Sequence, residues 1–119
     1  MPKWTAIEAS FLHQSHAQQL GELASSLARL KSWSQKNAFR EMVPVLLEEN
    51  LLYVRLIQRH SDITQLSQVE DLLIGWQRNW LSICSSPTEI ANLALIAAIW
   101  SERVLDMSGL LVVADSMSV

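Results

Sequence analysis

Apolar residues in this chain recur at alternating steps of three and four, and that rhythm fixes the fold class. Leu66, Val69, Leu73, Trp76, Trp80 and Ile83 form one such row; Ile90, Leu93, Ala97, Trp100, Val104, Met107 and Leu111 form another. A helix turns once every 3.6 residues, so side chains at these spacings share one face, whereas a strand needs alternation by two. Leu20, Leu23, Leu27 and Leu30 repeat the pattern earlier in the chain. Phe39, Val43, Leu46, Tyr53 and Ile57 supply a fourth inner set. With only three glycines and no alternating β-branched run, the chain reads as all-α.

Boundary signals divide these rows into four helices. Thr5 and Glu8 have capping-box spacing, so the first helix is expected to open at Thr5 and to fade near Ser32. The segment SWSQKN at 32–37 is the first turn. The second helix runs from about Ala38 to Arg59 with Pro44 inside it. Proline removes a backbone donor and crowds the carbonyl four residues back, so a kink or a fresh start is expected near Pro44. HSDITQ at 60–65 turns the chain again, and the Ser67–Glu70 pair opens the third helix. Gly75 weakens that helix by about 1 kcal/mol relative to alanine unless close packing needs it. Ser86, Pro87 and Glu89, as N-cap, first helical residue and third residue beyond the cap, start the fourth helix. Gly109 ends it. Four helices with short connections are expected to pack as an antiparallel up-down-up-down bundle. The expected domain covers residues 1–114, with a frayed tail at 115–119.

Composition narrows the function classes. Apolar residues make up 50% of the chain and charged residues 18%, against about 25% in ordinary soluble domains. The fourth helix carries a second apolar sector at Leu95, Ile96 and Ile99, beside Arg103. A bundle helix normally shows one apolar face, so these residues are the expected interface with a second copy or another protein. The net charge of −3 and the scattered Lys and Arg argue against nucleic acid as a partner. The longest wholly apolar run, LALIAAIW at 93–100, is far short of the ~20 residues of a transmembrane span. The N-terminal MPKWTAIEAS lacks a signal-peptide pattern, and the lone Cys84 cannot form an internal disulfide, so a cytoplasmic location is expected.

The candidate sites are few. His13 and His16 stand one helical turn apart and could share a metal or haem, with His60 as a third nitrogen ligand. No glutamate is followed by histidine three positions on, so the di-metal carboxylate pattern of helical bundles is absent. The simpler reading makes the histidines polar residues at one end of an apolar row, and no cofactor is expected. Arg55 followed after four residues by His60 resembles the signature of HEPN-type ribonucleases, helical bundles in which arginine and histidine act at the scissile phosphate. Leu56 stands where that pattern carries a polar residue, and a helix C-terminus accounts for basic side chains through its dipole. Glu41, Glu48 and Glu49 read as a solvated face. Trp76, Trp80 and Trp100 fall on inner rows of neighbouring helices and are expected to cluster, as core or as the wall of an apolar pocket. No glycine-rich turn or strand–turn–helix elbow supports nucleophilic catalysis. The chain therefore reads as a non-catalytic interaction protein, self-associating through the fourth helix. Metal or haem binding at the histidines, and association with a lipid or polymer surface, are the alternatives.

Overall fold

A computed structural model of the chain describes residues 3–109, and over that span it is helical without a strand. Among the described residues there are six α-helices and one 3₁₀ segment. They are α1 (Trp4–Leu12), α2 (His16–Ser34), the 3₁₀ segment (Asn37–Met42), α3 (Val43–Gln58), α4 (Gln65–Arg78), α5 (Trp80–Ile83) and α6 (Pro87–Ser108). The all-α expectation holds. The expected count of four helices does not, because two of the rows are interrupted.

The first interruption separates α1 from α2 at residues 13–15. Ser15 caps α2: its hydroxyl accepts from the Gln18 backbone N–H at 3.1 Å while the Gln18 side chain accepts from the Ser15 N–H at 3.0 Å. This reciprocal pair satisfies donors that a helix start leaves open, so the chain restarts here. Gln19 closes the junction from the other side, its buried amide donating to the carbonyls of Phe11 (3.1 Å) and Gln14 (3.4 Å). The expected cap at Thr5 is not used; α1 begins at Trp4 behind Lys3, without a side-chain cap. The second interruption falls at Asn79, whose side-chain amide donates to the Gly75 carbonyl at 2.9 Å and whose backbone leaves the helical region before α5.

Pro44 lies in the first turn of α3, where its missing N–H has no partner to lose, and the helix restarts there after the 3₁₀ segment. Phe39 is corrected from the inner set. It is 42% exposed and stacks on Trp33 at 5.8 Å, with the Lys36 ammonium 5.9 Å from its ring. The Ser67–Glu70 cap is also corrected. α4 begins at Gln65, and the Ser67 hydroxyl donates to the Thr64 carbonyl instead. Ser86, Pro87 and Glu89 open α6 as expected, with the Ser86 hydroxyl accepting from the Glu89 N–H. Gly109 closes it at φ 78°, a left-handed conformation that favours glycine. Leu111 and the tail at 115–119 lie outside the described residues.

Leu20, Leu23, Leu27 and Leu30 of α2 are buried, as are Leu46, Leu47, Val54 and Ile57 of α3, Leu66, Val69 and Leu73 of α4, and Ile90, Leu93, Ala97 and Val104 of α6. They form one continuous core. The α2–α6 contact is the most extensive between elements. Buried Ala24, Ala94 and Ala97 let the two backbones approach, and the Ser101 hydroxyl donates directly to the Ala24 carbonyl at 2.7 Å. On its other side α2 meets α3, where Glu49 departs from the expected solvated face. It accepts from the Ser26 hydroxyl at 3.2 Å and pairs with Arg29 at 3.7 Å. α1 packs on α3 through Phe11, whose ring stacks on Tyr53 at 4.4 Å, and through an exposed Arg59–Glu8 pair. α4 packs on α3, and α5 bridges α4 and α6.

Candidate functional site: the groove between α4 and α6

α4 and α6 are the edges of the helical array, and a groove of about 960 Å³ opens between them. α4 contributes Gln68, Asp71, Gly75 and Trp76 to its lining. α6 contributes Glu89, Asn92, Trp100 and Arg103. The placement follows from helical spacing. Trp76 follows buried Leu73 by three residues and sits half-buried at the edge of the α4 row, while Trp100 lies within the α6 row and is buried. The Arg103 guanidinium lies over the Trp100 ring at 4.9 Å, a cation–π contact that holds the charge against the groove wall. A Cβ built on Gly75 would meet nothing within 4 Å, so no packing inside the chain requires glycine there.

Carboxylates, amides, the Ser82 hydroxyl, a guanidinium and indoles make up the polar and aromatic part of this lining, without histidine, lysine or cysteine. It therefore offers flat apolar contact, hydrogen bonds and two signs of charge. Outside the groove rim, the outer face of α6 shows Leu95 at 60% and Ile99 at 39% exposure. Of the four residues singled out from sequence as an interface, Leu95, Ile99 and Arg103 are exposed, while Ile96 is partly buried and packs against the core. Of the three tryptophans, Trp76 and Trp100 share the groove. Trp80 is buried at the start of α5 and is not among the lining residues.

The histidines are distributed differently from the sequence expectation. His13 ends α1 and His16 begins α2, so the single helical turn that would bring them together does not form. His16 and His60 instead line one pocket of about 430 Å³ with Leu12 and Gln19, and all three histidines are exposed. Among the described residues, no group of three or more His, Cys, Asp or Glu side chains is arranged to hold a metal. Arg55 is paired with Glu70 at 3.1 Å across α3 and α4. No helix among the described residues is long and apolar enough to cross a membrane.

Sequence reasoning missed the amides of Gln68 and Asn92 and the open space at Gly75. Glu89, Asn92, Ile96, Ile99 and Arg103 do follow one another at steps of three, four, three and four, a row legible in the sequence beside the more apolar one. No protein-family model, curated protein or solved structure matches this chain.

Proposed function

We propose that this chain is a non-catalytic helical interaction protein that self-associates through α6. In this reading α2, α3, α4 and α6 act as an antiparallel up-down-up-down bundle, and the outer face of α6 is covered by a second copy. The carrying observation is the exposure of Leu95 and Ile99 on a helix whose other sides already meet α2 and the core. Apolar surface left in water costs roughly 25 cal/mol per Å², and a second chain removes it from water. A cytoplasmic setting belongs to the same reading, in keeping with a single cysteine that makes no internal disulfide. Native mass spectrometry and sedimentation velocity test it. The expected result is a dimer that dissociates when Leu95 and Ile99 are both replaced by lysine, with helicity unchanged. A wild-type chain that stays monomeric at high micromolar concentration would remove the proposal.

A second reading, metal binding at that end of the molecule, rests on the pocket His16 and His60 share: two imidazoles, with no third His, Cys, Asp or Glu beside them among the described residues. Zinc titration followed by calorimetry tests it: binding that disappears in both His16→Ala and His60→Ala supports the reading. An unaltered signal in both variants would end it.

A further inference from the structure

Self-association leaves open how two copies meet, and the α6 row of charged and apolar residues contains that information. Glu89, Asn92, Ile96, Ile99 and Arg103 recur at three-four spacing, the seam that keeps facing a partner helix in coiled-coil packing. The row is symmetric about Ile96: Glu89 precedes it by seven residues and Arg103 follows it by seven. At 1.5 Å rise per residue the two charges stand about 21 Å apart along α6. Both are exposed, both line the groove, and neither makes an ion pair among the described residues.

Resting on the self-association reading above, the geometry points to a two-fold dimer in which α6 lies head-to-tail on α6 of a second copy, with the axis near Ile96. Glu89 of each copy then faces the partner's Arg103. A parallel pairing would set Glu89 against Glu89 and Arg103 against Arg103, so the charges select the head-to-tail arrangement. Ile96 and Ile99 occupy the centre between the two charge pairs, and Leu95 flanks it. The Trp100 ring holds each guanidinium at the groove wall while leaving its N–H groups for a carboxylate. The open space over Gly75 beside this seam is room for a partner side chain, which gives the glycine a role that packing within one chain does not.

Charge reversal tests the arrangement, with dimer dissociation constants from sedimentation velocity. Arg103→Glu alone and Glu89→Arg alone each turn two attractive contacts into two repulsive ones, and each is expected to weaken dimerisation by roughly tenfold or more. Mixed in equal amounts, the two variants restore opposite charges at both contacts. They are expected to form a heterodimer about as tight as the wild-type dimer. Gly75→Leu is the second probe: a Cβ there meets nothing in its own chain, and leucine is the better helix former, so the variant should melt no lower than the wild type yet dimerise poorly. This probe decides the matter if Glu89→Arg perturbs the first turn of α6. A dimer indifferent to these reversals and to Gly75→Leu would overturn the α6 geometry while leaving self-association intact. A monomeric wild type would remove both and leave the groove to a different protein.

Discussion

Gln19 shows how one side chain can hold a helix junction. A leucine at that position would continue the apolar row into Leu20 and Leu23 without complaint from the core. It would also leave the carbonyls of Phe11 and Gln14 without the amide that now donates to both. Each such hydrogen bond contributes about 0.5–1.5 kcal/mol, and the Phe11 carbonyl keeps a second donor in the Gln14 N–H at 3.1 Å. Gln19→Leu is therefore expected to lower stability by about that amount in urea denaturation; an unchanged midpoint would mean the junction is held by the Ser15–Gln18 box alone. Tyr53 is the residue through which alkaline pH should act. Burial, then the nearby Glu49 and Glu22 carboxylates, then a hydrogen bond to Glu49, push its hydroxyl from its ordinary 10.0 up to about 12. Because the folded value lies above the unfolded one, the protonated phenol favours the fold. Its contribution is complete below pH 10 and fades between about pH 10 and 12. The chain has one tyrosine, so tyrosinate absorbance reads this group alone. The expected midpoint is near 12, or coincident with alkaline unfolding; ionisation near 10 in a folded chain would contradict the buried placement.

The elements divide into those whose local chemistry decides them and those decided by a distant contact. Ser86, Pro87 and Glu89 start α6, and Gly109 ends it, because each acts on backbone groups a few residues away. The break at residues 13–15 carried an equally local signal in Ser15–Gln18, but the same spacing at Thr5–Glu8 competed with it, and the apolar row from Leu20 to Leu30 starts beyond both. Phe39 was misplaced because a 3₁₀ segment turns once per three residues, so α-helical spacing to Val43 does not carry across it. Glu49 was unreadable for another reason: its partners Ser26 and Arg29 lie on α2, and only the fold brings them together. The candidate site divides in the same way. Ile96, Ile99 and Arg103 could be read from α6 itself, and Trp76 with Trp100 from the rows of neighbouring helices, whereas the polar part of the groove needs the placed backbones of α4 and α6. Two positions with small side chains give a matched prediction. Gly75 on α4 has open space around a Cβ, so Gly75→Ala is expected to stabilise by about 0.5–1 kcal/mol through helix propensity. Ala97 on α6 is fully buried beside the close α2 contact, so Ala97→Leu should cost about 1–3 kcal/mol by overpacking. Opposite signs in thermal melts are the check; the same sign for both would mean that α6 has slack against α2.

At the scale of the whole molecule, stability is concentrated on α2. It is covered by α6 through small side chains on one side and by α3 on the other, while α4 reaches the array through α3 and α5 closes on α6. α1 is held differently. Only Phe11 of its residues is fully in the core, its main neighbour is α3, and the Arg59–Glu8 pair that flanks the contact is solvent-exposed and contributes about 1 kcal/mol at most. A segment with one buried anchor opens at a lower free energy than a helix packed on two sides, since opening forfeits less buried area and leaves the remaining core closed. Native-state hydrogen exchange should therefore show α1 amides exchanging through a local opening that depends weakly on urea. Amides of Leu23, Leu27 and Leu30 should exchange only with global unfolding and carry the full denaturant slope. Phe11→Ala should widen that gap by releasing α1 first. If α1 and the centre of α2 exchanged together, with one slope, the Phe11–Tyr53 stack and the Gln19 staple would be coupling α1 to the core as strongly as α6 is coupled to α2.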